Sequence, residues 1–206
     1  MMNAVEEVVG RKVSRETAVK LSDYAEMLLA ESDRQNLIAR STIPDLWKRH
    51  LADSAQLVPI AGTGRSWADI GSGAGMPGMV VAILSDNLVT LIEPRRLRAE
   101  FLENVATRLR LKNVRVVAAK AEAVSGQFDV ISARAVAPAV DLLRISRHLA
   151  HTGTRYLLMK GRSAQTELEQ VRRAWHGDFD LVASRTDGEA AILVADHVWR
   201  RGGDGK

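Results

Sequence analysis

The chain contains no cysteine among its 206 residues. Disulfides, thiolate metal sites and a cysteine nucleophile are excluded, and the cytoplasm is the expected compartment. No metal ligand set is predicted either. Aromatic residues amount to only 4%, which argues against broad stacking on single-stranded bases. The longest apolar runs, Met79–Leu84 and Ala190–Ala195, span six residues each. A membrane helix needs about 20, so no span is expected. The start, MMNAVEEVVGRKVS, has no apolar core long enough for a secretory signal.

What is present is ordinary for a globular protein: 46% hydrophobic and 26% charged residues. The net charge is +4, from 29 Lys and Arg against 25 Asp and Glu. Its distribution is uneven. Residues 1–60 carry 8 basic and 9 acidic groups, residues 111–160 carry 8 and 3, and residues 161–206 carry 7 and 8. A basic centre suits an anionic partner such as nucleic acid or a phosphorylated ligand, or is a solvated surface without one.

The chain changes character near residue 62. Before it the spacing is helical: Ser14 caps a segment with Ala18, Leu21, Ala25, Leu28 and Leu29 on one face. The polar stretch Glu31–Asn36 is expected to break it. A second helix is predicted from Thr42-Ile43-Pro44, with Leu46, Trp47, His50, Leu51, Ser54 and Leu57 at helical spacing. Gly62-Thr63-Gly64 reads as a connector. Beyond it, strands predicted at 66–70, 88–92, 114–118, 128–132 and 155–159 alternate with helices at 79–84, 95–109, 138–149 and 163–175. Two late strands are placed at 180–184 and 191–198. Such alternation implies an α/β fold with a mostly parallel seven-stranded sheet, helices on both faces. The expected organisation is a helical extension, residues 1–61, and an α/β core, residues 62–206. Three glycines in the tail 201–206 suggest fraying.

The central motif is Asp69-Ile70-Gly71-Ser72-Gly73-Ala74-Gly75-Met76-Pro77-Gly78, between the first core strand and its helix. Glycines let the backbone approach a ligand there, and open parallel sheets bind ligands at the carboxyl ends of their strands. A dinucleotide fingerprint counted from Gly71 would need glycine at position 76, which is Met76. A shifted match, Gly73, Gly75 and Gly78, places Pro77 inside the turn. The pattern acidic-x-G-x-G-x-G from Asp69, through Gly71 and Gly73, is similar to the cofactor loop of Rossmann-like S-adenosylmethionine-dependent methyltransferases. Glu93, 22 residues after Gly71, stands where a carboxylate accepts hydrogen bonds from ribose hydroxyls. Ala121-Glu122, after the third strand, offers an N–H and a carboxylate to an adenine ring, or is a plain loop. Arg134, in Ser132-Ala133-Arg134-Ala135, faces the reactive end of such a crevice and suits bidentate contact with a carboxylate or phosphate. Lys160 ends the fifth strand and is directed to the same crevice.

Absences narrow the acceptor. Attack at cytosine C5 normally needs a cysteine nucleophile. Methyl transfer to exocyclic amines often uses an Asn-Pro-Pro or Asp-Pro-Pro motif, and no Pro-Pro occurs here. Guanine N7 has a lone pair and no proton, so positioning and electrostatics suffice for direct in-line attack. Carboxyl, hydroxyl and amine acceptors remain open at this point.

Four blocks carry a family likeness: Asn36-Leu37 with Trp47-x-x-His50-x-x-Asp53-Ser54; the loop 69–78; Glu93 with its basic helix and Phe101-Leu102; and 132–135 with Lys160-Gly161. Together they resemble the RsmG (GidB) family, the small-subunit ribosomal RNA guanine-N7 methyltransferases. The resemblance implies a Rossmann-like class I methyltransferase core with a small helical N-terminal extension. It implies S-adenosylmethionine as donor and one guanine in the decoding-region loop of 16S rRNA as acceptor, within the small subunit or an assembly intermediate. Carried over by motif, Gly71, Met76, Ala121, Glu122 and Arg134 contact the cofactor, while Asp69, Gly73 and Glu93 follow from the general fold argument. Arg134 and Lys160 are the candidates for catalytic positioning. Arg95, Arg96, Arg98, Arg40, Lys48 and Arg49 are candidates for phosphate contact. His50 is read as a packed or hydrogen-bonded histidine rather than a base. A monomer is expected. Two other readings stay open: a methyltransferase acting on a small molecule or protein, and a non-enzymatic RNA-binding or scaffold module.

Overall fold

The computed structural model describes residues 2–200. The glycine-rich tail 201–206 lies outside them. Seven strands form one sheet: β1 (Ser66–Ile70), β2 (Leu88–Ile92), β3 (Val114–Val117), β4 (Phe128–Arg134), β5 (Ala150–Lys160), β6 (Trp175–Ala183) and β7 (Ala191–Arg200). Their order is β3-β2-β1-β4-β5-β7-β6. β1 to β5 pair in parallel, whereas β7 runs against both β5 and β6. The sheet is therefore mixed. A connection of only residues 184–190 joins β6 to β7, too short for the crossover that parallel neighbours require. Strand order reverses between β2-β1 and β1-β4, which opens a crevice at the carboxyl ends of these strands.

Alternation along each strand splits the core into two layers. Trp67, Val130 and Leu157 face one apolar cluster, and Ala68, Ile131 and Leu158 face the other. The first layer is covered by α5 (Gly78–Leu84) and α6 (Arg96–Arg108), and the second by α7 (Ala139–Ser146) and α8 (Ala164–Ala174).

The N-terminal helices share the first layer. α1 (Met2–Val9), absent from the sequence reading, buries Val5, Val8 and Val9. α2 (Arg15–Gln35) is capped by the Ser14 side chain, which accepts the Thr17 N–H, and ends at Asn36 in the left-handed region. It runs through most of the polar stretch expected to break it, because Glu31, half-buried, pairs with Arg34 and Gln35 one turn on. Leu21, Leu28, Leu51 and Leu102 are fully buried in this layer, each contributing about 1.5–3 kcal/mol by leaving water.

The predicted second helix is in fact broken. A 3-10 segment holds Arg40–Asp45 with Pro44 inside it, and a π-helical turn follows at Trp47–Ala52. α3 (Asp53–Ala55) and α4 (Leu57–Ala61) complete the segment. Proline cannot donate to a regular ladder, and the wider π turn redirects the side chains after it. Trp175, expected in the last helix, instead opens β6.

Candidate active site

The glycine loop is tied down on several sides. Gly71 and Ser72 donate their N–H groups to Ile92 O at 2.8 and 3.1 Å. Gly73 donates to Glu93 Oε2 at 2.8 Å, and Arg95 N–H reaches Glu93 Oε1 at 2.8 Å. Gly71, Gly73 and Gly75 have φ of 65°, 54° and 99°, a region that side chains rarely adopt. The loop–helix junction at Gly78 leaves no room, since an added Cβ would lie 2.8 Å from Asp69 Cβ. At Gly73 the nearest atoms would be 3.7 Å away, Arg98 Nη1 among them.

Asp69 is fully buried. Its Oδ1 accepts the Ser132 hydroxyl at 2.6 Å and its Oδ2 the Gly78 N–H at 3.2 Å. Trp67 Nε1–H in turn donates to Ser132 Oγ at 2.8 Å. Burial pushes the Asp69 carboxyl up to about 6 against the pull of these donors. Both oxygens are thus used inside the protein, and Asp69 braces the loop rather than facing the crevice. The Met76 side chain is likewise buried in the first apolar layer. Glu93 is only 3% exposed, at the end of β2. Beside it, after β3, a 3-10 turn carries Ala121, buried, and Glu122, exposed.

Past the ends of β4 and β5 lies a cleft of about 860 Å³, with Lys48, Arg49, Asp53, Arg134, Lys160 and Thr186 among its lining residues. Arg134 is its centre. One guanidinium nitrogen, Nη2, lies 3.3 Å from His50 Nδ1, and Nη1 lies 3.6 Å from Asp53 Oδ2. The His50 tautomer follows from its neighbours. Thr42 donates its hydroxyl to Ala39 O at 2.7 Å, so it accepts from His50 Nε2–H at 2.8 Å. His50 Nδ1 is left to accept from Arg134. Burial, with Arg134 and Arg49 nearby, pushes the imidazole down to about 4. The ring is neutral at physiological pH, as the hydrogen-bond pattern requires.

Asp53 Oδ1 accepts from Gln56 Nε2 at 2.8 Å and Thr186 Oγ1 at 2.7 Å. Burial raises its carboxyl above the usual range despite Thr186 and Arg134. Thr186 belongs to the β6–β7 connection, so one carboxylate links three walls of the cleft. Lys160 also lines the cleft, but its ammonium is committed: it donates to Ala137 O at 2.8 Å and pairs with Glu167 Oε2 at 2.8 Å. Burial pushes Glu167 up, but its bonds to Lys160, Ser163 and the Ala139 N–H outweigh that and hold it below the usual range. Lys160 therefore fastens the segment after β4.

Of the expected site residues, Arg134 and Lys160 line the cleft, Gly73 and Glu93 are joined to each other beyond β1 and β2, and Asp69 and Met76 are buried in the protein. Of the basic candidates, Lys48 and Arg49 line the cleft, whereas Arg96 pairs with Glu100 on the exposed face of α6. Asp53 stands in a block of family likeness without an expected role, and neither Thr186 nor Tyr24 is among the residues to which the sequence points. Tyr24 donates its hydroxyl to Ala74 O in the glycine loop at 2.8 Å. Its signal was a lone polar atom within the buried stripe of α2.

The model of the family "rRNA small subunit methyltransferase G" matches residues 17–186. The chain belongs to this family. It is 46% identical over 196 residues to ribosomal RNA small subunit methyltransferase G of Zymomonas mobilis, covering 90% of this chain and 88% of that one. It is 49% identical over 196 residues to the protein of the same name from Rhizorhabdus wittichii, covering 93% and 90%. In fold it is similar to a SAM-dependent methyltransferase from Aquifex aeolicus, at TM-score 0.57 and 14% identity, covering 74% and 92%. That likeness concerns the fold alone. Among the described residues, this family member has no helix long and apolar enough to cross a membrane, and no His, Asp and Glu cluster able to hold a metal ion.

Proposed function

We propose that the protein transfers a methyl group from S-adenosylmethionine to N7 of a single guanine in the decoding-region loop of 16S rRNA. The observation that carries this reading is the committed state of the titratable groups in the cleft floor. His50 is neutral and accepts from Arg134, Asp53 is shared among Arg134, Thr186 and Gln56, and Lys160 is paired with Glu167. These three groups are engaged by their neighbours rather than free to take a proton, and guanine N7 needs no base, because it attacks with a lone pair and loses no proton. The relatives' names and the basic wall of Lys48, Arg49 and Arg134 support an rRNA acceptor.

The residues present fit the donor. The backbone at Gly73 is open to approach, with nothing nearer than 3.7 Å to an added Cβ, and the Glu93 carboxylate stands directly beside it. S-adenosylmethionine supplies an electrophilic methyl group on a sulfonium. Glu93 accepts hydrogen bonds from the ribose hydroxyls, Ala121 and Glu122 read the adenine, and the backbone of Gly71, Gly73 and Met76 bounds the pocket. Asp69 holds that backbone in shape. Arg134, where the donor pocket meets the cleft, orients the reacting groups by charge and fixed geometry. Lys160 keeps the segment after β4 in place. Lys48 and Arg49 hold rRNA phosphates. Residues 1–61 act as a helical extension of a methyltransferase core, and the protein works as a monomer in the cytoplasm.

The test uses the purified protein, S-adenosylmethionine labelled in its methyl group, and small subunits from a strain lacking this modification. Label recovered as N7-methylguanine at one rRNA position is expected. Label in protein or small molecules instead would overturn the acceptor.

A further inference from the structure

We propose that Tyr24 is a positioning residue for the methyl donor, acting from the N-terminal helix α2 through the peptide plane between Ala74 and Gly75. The inference rests on the donor reading above. Its starting point is a contact across 50 residues: the Tyr24 hydroxyl donates to Ala74 O at 2.8 Å, both groups being buried.

The loop needs such a contact. Ala74 sits between Gly73 and Gly75, with φ of 54° and 99°. Flanking glycines give the intervening peptide planes little steric guidance, so hydrogen bonds must set their direction. At the Ala74–Gly75 plane both ends are held. The carbonyl accepts from Tyr24, and the Gly75 N–H donates to Ser72 O at 2.7 Å. Two peptide planes earlier, Gly73 N–H is held by Glu93. Reorienting the Ala74 carbonyl therefore disturbs the backbone that bounds the donor pocket. The fit is close: a Cβ on Gly75 would lie 2.9 Å from the Tyr24 hydroxyl and 3.0 Å from Leu102 Cδ2. Among the described residues, the other hydrogen bonds on the loop come from β1, β4, α5, the end of β2 with Glu93, or the loop itself. Among the described residues, Tyr24 is the member of the N-terminal extension that hydrogen-bonds to the loop, and its helix α2 is fastened at the C-terminal end to the start of α6 by Gln35 Nε2 donating to Leu97 O at 3.0 Å. The extension is by this account part of the donor site, not only a wall of the acceptor cleft.

The experiment compares full-length wild type, Tyr24→Phe and Leu28→Val. Phenylalanine keeps the ring in the core and removes only the hydroxyl. Leu28→Val loosens the same helix in the same apolar layer without touching the loop. Donor affinity is measured by calorimetry with S-adenosylmethionine, alongside steady-state kinetics on unmodified small subunits. For Tyr24→Phe, the dissociation constant and KM for the donor rise about five- to tenfold, as expected for one lost hydrogen bond. The kcat at saturating donor and the KM for subunits stay within about twofold. Leu28→Val leaves donor affinity unchanged. Unchanged donor affinity in Tyr24→Phe, or an equal loss in Leu28→Val, overturns the inference. Wild type that fails to bind S-adenosylmethionine overturns the donor reading itself, which is a distinct result.

Discussion

Glu93 and Gly73 are joined by a hydrogen bond of 2.8 Å from the glycine's N–H to the carboxylate, while the other oxygen takes the N–H of Arg95. The end of β2 thus shapes the loop after β1 and the entry to α6 at once. Glu93→Gln leaves one acceptor oxygen and turns an amide donor toward a backbone donor. Hydrogen bonds to charged groups are worth about 1.5–3 kcal/mol. Chemical denaturation is expected to register a loss of about 1–3 kcal/mol, and calorimetry about a tenfold or greater loss of donor affinity.

Two glycines of the same loop answer differently to substitution. At Gly78 an added Cβ meets the Leu91 side chain and Asp69 Cβ, so Gly78→Ala overpacks the junction and costs about 1–3 kcal/mol. At Gly73 there is space, and aspartate tolerates the left-handed region better than most residues. Gly73→Asp costs about 1–2 kcal/mol for its left-handed backbone, places a carboxylate beside Glu93 and loses donor binding altogether. Parallel melting and calorimetry on the two variants check this, and intact donor binding by Gly73→Asp would sink it.

The pH dependence of stability should carry the signature of His50. Its folded pKa is about 4 against an ordinary value of 6.5. Between these values the unfolded chain binds the proton and the folded chain does not, so stability is lost as pH falls from about 6.5 toward 4. Partial exposure to water reduces the effect to about 1–2 kcal/mol. His50→Asn removes that slope, so the stability difference between wild type and variant narrows as the pH drops. Denaturation at pH 7 and pH 5 measures it; a difference that does not change with pH removes His50 as the cause.

Lys160 and Glu167 form an ion pair with side chains only 7% and 14% exposed. Lys160→Met leaves the Glu167 carboxylate and the Ala137 carbonyl without their cation. Breaking a buried pair from one side costs about 3–5 kcal/mol. The expected result is a variant with a clearly lower melting temperature. Its residual transfer rate per folded molecule should exceed that of Arg134→Ala, since the lysine acts by holding the segment after β4.

Lys48 and Arg49 lie at the mouth of the cleft. Replacing both by alanine should weaken binding to the small subunit and reduce the salt slope of log K by about 1–2. Donor affinity should not change. A filter-binding titration over salt concentration distinguishes these outcomes.

Much of this was legible in advance because it depends on local pattern. The loop 69–78, Glu93 and the strands from 66 to 134 follow from glycine spacing and from alternation of apolar runs with helical stripes. The errors fall where neighbours override local preference. The polar stretch Glu31–Asn36, expected to break the helix, ends it only at Asn36, since Glu31 keeps the last turn helical through pairs with Arg34 and Gln35. Thr42–Leu57 looked like one helix but divides around Pro44 and the π turn. Nothing in a 3.6-residue periodicity announces that turn, whereas the three-residue spacing of His50 and Asp53, which both reach Arg134, is compatible with one helical face.

The order of residues alone specifies the layered α/β architecture, the glycine loop and the carboxylate that serves it, because backbone freedom and hydrophobic periodicity are written residue by residue. It also excluded thiol chemistry outright. Which charges are spent and which stay free is settled by long-range packing. Asp69 and Lys160 resemble site residues in the sequence, yet Ser132 and Gly78 take up the first, while Glu167 and Ala137 take up the second. Tyr24 resembles a core residue and instead holds the loop. The physical reason is that a buried polar group must find a partner, and partners separated by tens of residues are assigned by packing, not by spacing along the chain.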